Sequence, residues 1–343
     1  MTQAQIESLH ERYRNTFAGR SRATRDLGVL DGLIAEATAL ASGADAAGRA
    51  LLDERLSLYR GERAAIAEIQ AGGPAVVEAW RVAEWSELDN YRYGRHFAGK
   101  DRRTRDRGLL LELAADERAR LDAIPDAGNP RLAARKEQIA ANARLYTSEC
   151  AAIADARAAL APTEEARLLA TLANQQFEHW RQSFEGRNRA TRRVALLERM
   201  IAALDEVRGR MVAVREMGVS SDANLANIKK VTERIAFWRD ELARIRTARA
   251  AVSGADLARR LGQDANEIFQ VYRKEFAGKA RNALDHARLG VVCDQLHEAA
   301  RTMRALQIER PSDVNGRNLA IVLDHLRVAE REHVAIADAR PKG

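Results

Sequence analysis

Two sets of side chains in this 343-residue chain have the types and spacing to do chemistry. The first is local. Cys293 and His297 stand one helical turn apart, His286 lies two turns before Cys293, and a helix folded back from the following loop brings His333 near Cys293. One thiolate with two or three imidazoles is a zinc-competent set. The competing reading is a buried thiol near surface histidines, because the grouping does not recur elsewhere in the chain.

The second set recurs. The stretch Tyr93-Gly-Arg-His-Phe-Ala-Gly-Lys-Asp-Arg-Arg-Thr-Arg-Asp106 has counterparts at Tyr13 to Asp26, Trp180 to Arg193 and Tyr272 to Asp285. Each has an aromatic residue, Phe four residues on, then Gly, a cation, a variable residue and Arg. The four windows carry +3, +3, +4 and +2, together +12, against +7 for the whole chain, so the remainder is net −5. Arg20, Arg22, Lys100, Arg102, Arg187, Arg189, Lys279 and Arg281 are therefore the candidate contacts for an acidic partner or an anion.

Helices must position these residues. Arg, Ala, Leu and Glu dominate, Pro occurs six times, and the fold class expected is all-α. Ile6, Leu9, Tyr13 and Phe17 trace one helix face, and Gly19 stands where a helix ends. Ser21, Asp101 and Asn188, but not Ala280, are residues that restart a helix. The spacing predicts helix A, a tight break, then helix B; the alternative is one long helix with tolerated Gly19, Gly99, Gly186 and Gly278. On the first reading the motif arginines crowd the first turn of helix B, where the helix dipole opposes cations.

After a breaker comes helix C, marked by Glu62, Glu149, Glu241 and Glu332 at intervals of 87, 92 and 91 residues. The motif phenylalanines Phe17, Phe97, Phe184 and Phe276 recur at 80, 87 and 92. Four tandem units of about 85 residues follow, at 1–72, 73–161, 162–253 and 254–343, each of two to three antiparallel helices, forming an elongated array. Folding helix C back puts Glu149 opposite Arg105, so an internal Arg–Glu clamp is one use for the cations. Leu284 in place of the second arginine of the fourth copy is not what a pure clamp predicts.

The aromatic residues of the motif stand at i and i+4, on one helix face, and read as core more readily than as a platform for bases. Phosphate loops, dinucleotide glycine patterns, His-Glu-x-x-His and nucleophile elbows are absent from the sequence. No cofactor or small-molecule substrate is indicated. The two cysteines fall in different repeats and argue for a reducing compartment, and no apolar run is long enough to span a bilayer, so a soluble, cytoplasmic protein is expected. The function expected is a non-catalytic scaffold that self-associates or docks an acidic protein through the basic breaks. The alternatives are polyanion binding, to nucleic acid or an anionic membrane surface, and metal binding at Cys293 and His297.

Overall fold

Each motif glycine decides where a helix stops. In the computed structural model, which describes residues 3–17, 19–125, 128–219 and 221–339, Gly19, Gly99, Gly186 and Gly278 have φ between 69° and 74°. That left-handed conformation turns the chain out of helix A, and the next amide donates back to the carbonyl of the motif phenylalanine (Arg20 N to Phe17 O, 3.1 Å; Arg187 N to Phe184 O, 3.2 Å). The uninterrupted long helix is thereby ruled out.

Among the described residues all regular structure is helical. The order is α1 (Gln3–Phe17), α2 (Leu27–Ser42), α3 (Ala46–Ala71), α4 (Gly73–Phe97), α5 (Arg107–Ala123), α6 (Pro130–Ala158), α7 (Pro162–Phe184), α8 (Val194–Glu216), α9 (Asp222–Ala250), α10 (Gly254–Glu275), α11 (His286–Glu309) and α12 (Asp313–Ala339). A short 3₁₀ turn occupies each break, at Arg22–Thr24, Arg102–Thr104, Arg189–Thr191 and Arg281–Ala283. Helix, turn, helix, helix is thus the order four times over.

The 3₁₀ turns change the meaning of the caps. Ser21, Asp101 and Asn188 do not start helix B; their side chains accept from Ala23 N, Arg103 N and Ala190 N and cap the turn instead. Helix B starts later, at the last motif residue. Asp26 accepts from Gly28 N at 2.7 Å, Asp106 from Leu109 N at 3.1 Å and Asp285 from Arg288 N at 2.9 Å. In these three the motif arginines precede an anionic cap and do not sit in the first turn of helix B, so the expected dipole penalty is not incurred there; in the third motif Arg193 itself stands at the N-cap of α8 with no side-chain cap hydrogen bond.

The chain forms two compact units, Met1–Leu88 with Glu117–Ala141, and Asp89–Asp116 with Asn142–Gly343. In the first, Ile6, Leu9 and Phe17 of α1 bury against Leu30 and Leu33 of α2 and Leu52, Leu56 and Tyr59 of α3. A second cluster joins Trp80 and Ala83 to Ile124, Leu132 and Ile139. In the second unit Phe97, Leu109, Leu113, Tyr146 and Ile153 form one cluster, and Phe184, Leu197, Met200, Leu204, Val231 and Trp238 belong to another. There α10 packs on α11 and α12, α7 packs on α8, and α7 and α10 lie against the turns at Arg102–Thr104 and Arg189–Thr191. No helix of the described residues is long and apolar enough to cross a membrane.

Candidate functional site

Three of the four breaks are built from the same contacts. Arg22 Nε and Nη2 donate to Glu62 Oε1 and Oε2, both at 2.9 Å, and Arg25 Nη1 closes on the same carboxylate. Arg102 Nη2 donates to Glu149 Oε1 at 3.0 Å and Arg189 Nε to Glu241 Oε1 at 2.9 Å, with Arg105 and Arg192 as the second guanidinium. In the fourth break Arg281 holds Glu332 alone, Nε to Oε1 at 2.9 Å and Nη2 to Oε2 at 3.0 Å, and Leu284 is buried at the position of the second arginine. Two guanidiniums on one carboxylate form a charge-assisted network worth more than a surface pair.

The second arginine also finishes helix A. Arg25 donates to the carbonyls of Arg20 and Phe17, Arg105 to that of Lys100 at 3.0 and 3.2 Å, and Arg192 to that of Arg187 at 2.9 and 3.2 Å. These are the orphan acceptors that a helix end and tight turn leave behind. Eight residues beyond each clamp glutamate, helix C supplies a further donor: Gln70 to Arg25 O at 2.9 Å, Arg157 to Arg105 O at 2.8 Å, and Arg249 to Ala190 O at 3.4 Å. The fourth such position, Arg340, lies outside the described residues.

Hydrogen bonds to Glu62, Glu241 and Glu332 raise the pKa of Arg22, Arg189 and Arg281. Burial lowers that of Arg192 against the opposing pull of Glu241.

The candidate contact cations fall into two sets. Arg22, Arg102, Arg189 and Arg281 belong to the clamps, and the last three keep 50 % of their side-chain surface in solvent. Arg20, Lys100 and Lys279 are exposed immediately after the turning glycine, and Arg187 is half-buried. Phe17, Phe97, Phe184 and Phe276 are all buried. Tyr13 lies 5.4 Å from Phe17 and 4.7 Å from Tyr59, and Tyr93 lies 5.3 Å from Phe97 and 5.0 Å from Tyr146, so in these two the rings join helix A to helix C.

Cys293 is buried, and desolvation raises its thiol pKa. His297 Nε2 donates to Glu330 Oε1 at 2.9 Å, and the ring of His333 stacks on His286 at 3.8 Å. Among the described residues no group of three or more His, Cys, Asp or Glu is placed to hold a metal ion.

A buried ionic network in the second unit is the feature that sequence reasoning missed. Arg92 Nη2 donates to Glu298 Oε1 at 2.6 Å, and Arg95 donates to Glu330 Oε1 at 2.7 Å and Asp294 Oδ1 at 2.8 Å. Arg193 bridges Glu298, at 2.8 Å, and Glu112, which Arg199 also holds. Arg301 reaches Asp89 at 3.1 Å, Glu112 at 2.7 Å and Asp116 at 2.7 Å. Residues of α4 and α5 thus meet residues of α11 and α12, about 200 positions on in the chain. Burial works to raise the pKa of Glu112, Glu298 and Glu330, but the guanidiniums outweigh it: Glu298 is held well below the usual range, and Glu112 and Glu330 fall to about 2.

The burial of α11 shows why these charges are not a solvated face. Every residue from Leu296 to Met303 is buried, so the helix is surrounded on all sides and His297, Glu298 and Arg301 cannot be a solvated face.

Compared with known proteins, the chain matches no family model, no curated protein and no solved structure.

Proposed function

We infer that this chain is a non-catalytic helical scaffold that self-associates or docks an acidic protein surface through its four breaks. One observation carries the reading: cations remain at the surface of the breaks after the clamps are made. Arg20, Lys100 and Lys279 are exposed, and Arg102, Arg189 and Arg281 are half exposed although paired. A guanidinium has five N–H donors, so one engaged with a single carboxylate still has donors for another.

The chain outside the motif windows is net −5, so a second copy carries the complementary charge. Burial of the motif phenylalanines favours a protein surface over nucleic acid, because it removes the rings that would stack on bases. The test is sedimentation velocity on nuclease-treated protein over a wide concentration range, beside the Arg20→Glu, Lys100→Glu, Lys279→Glu variant. Growth with concentration in the native chain, lost in the variant at unchanged helicity, is expected. A native chain that stays monomeric at every concentration, in low salt as well as at about 0.15 M where screening acts within about 8 Å, sinks self-association.

A further inference from the structure

One of the junctions between successive breaks keeps a cavity that its counterparts fill. Aligned on the motif aromatic residue, the junction between a turn and the next helix A carries Trp85 and Arg120 in the first unit, Leu172 and Val207 between the second and third repeats, and Asp264 and Ala299 between the third and fourth. In the first, the Arg120 guanidinium, 1 % exposed, lies 5.8 Å over the Trp85 ring and pairs with Glu117 at 3.0 Å. In the last, Arg193 extends into the junction to Glu298, and a space of only about 20 Å³ is left. The middle junction has Asp106 and Glu206 where the last has Arg193 and Glu298, two like charges that cannot pair across it. It keeps a cavity of about 350 Å³.

The walls of this cavity set its chemistry. Leu168, Leu169, Leu172 and Val207 form an apolar floor, and the charged groups stand around it. Most are already committed. Arg210 is bidentate on Glu165 at 2.7 and 2.8 Å, Arg105 holds Glu149, Arg157 caps backbone carbonyls, and Asp106 caps Leu109 N. Arg107 is the least engaged: its Nε is buried without a hydrogen-bond partner, and the rest of its side chain, 41 % exposed, makes only a long ion pair, Nη1 3.9 Å from Glu206 Oε1, beyond hydrogen-bond reach. Glu206 is 60 % exposed and can turn to solvent.

We propose that this cavity binds a small apolar carboxylate of medium-chain fatty-acid size, its tail on the leucine floor and its carboxylate on Arg107. A partly open pocket of a few hundred Å³ with an apolar floor and polar groups around it is a usual form of a small-ligand site, and a guanidinium with an unused donor selects a carboxylate. The site does not depend on whether the breaks dock a partner.

Calorimetric titration of the full chain with decanoate tests it. One-to-one binding is expected, weakened at least about tenfold by Arg107→Gln, which removes a charged hydrogen bond. Leu172→Trp fills the cavity with the residue that the first junction carries and should abolish binding with helicity unchanged. Should Leu172→Trp fail to fold, the Arg107→Gln comparison alone decides. No binding at millimolar decanoate overturns the proposal, and so does equal affinity in the native chain and Arg107→Gln.

Discussion

Arg92 and Glu298, 206 residues apart in the chain, meet at 2.6 Å with 1 % and 5 % of their side chains exposed. Removing one partner strands a charge where water cannot reach it, at a cost of about 3–5 kcal/mol. Arg92→Met should therefore lower the urea midpoint strongly. Arg92→Met with Glu298→Leu should cost less than either change alone, because Arg193, the other partner of Glu298, keeps Glu112. A double variant less stable than both singles would show that the pair is not the coupled element described.

Acid should unfold the second unit in two stages. His179 and His333 are held to about 4 by burial, below the ordinary 6.5, so folding favours their neutral forms. Their contribution is full above pH 6.5 and falls away toward pH 4. Glu112 and Glu330, at about 2 against an ordinary 4.5, contribute fully above pH 4.5 and lose that contribution as pH falls toward 2. Urea titrations between pH 2 and 8 should show stability level above about pH 7 and falling in both windows. Glu330→Gln should flatten the lower one.

The clamps should differ in strength. Glu241 is buried under two guanidiniums, whereas Glu332, half-buried, faces only Arg281. Glu241→Gln leaves Arg189 and Arg192 without their carboxylate and should cost about 3 kcal/mol. Glu332→Gln should cost no more than about 1 kcal/mol, the range of an exposed pair. A double-mutant cycle on Arg192 and Glu241 checks the assignment: a coupling energy near zero would mean that their contact carries no stability.

The breaks and the glutamates of helix C were legible because they repeat. Gly19 and its three counterparts marked the helix ends, and folding helix C back placed Glu149 opposite Arg105; that Arg22, Arg102, Arg189 and Arg281 join the same carboxylates was not read from the sequence, which left them as contacts for a partner. The 3₁₀ turns were not legible, since Ser21, Asp101 and Asn188 cap a turn and a helix with the same side-chain chemistry. The ionic network lay hidden because it does not repeat. The positions equivalent to Arg92 are Arg12, His179 and Val271, and those equivalent to Glu298 are Ala39, Ala119 and Glu206. A single charged residue on a helix reads as solvent-facing until the neighbouring helix is known.

The turning glycines should reject a side chain for conformational reasons alone. A Cβ at Gly99, Gly186 or Gly278 would meet no atom within 4 Å, so sterics with neighbours cannot oppose alanine there. The positive φ does: an L-residue in the left-handed region costs roughly 1–2 kcal/mol, and asparagine is the residue that tolerates it best. Gly186→Ala should therefore lower stability by about that amount, with Gly186→Asn closer to the native chain. If alanine and asparagine were equally tolerated, the break would not need its left-handed residue, and α7 and α8 would be able to join.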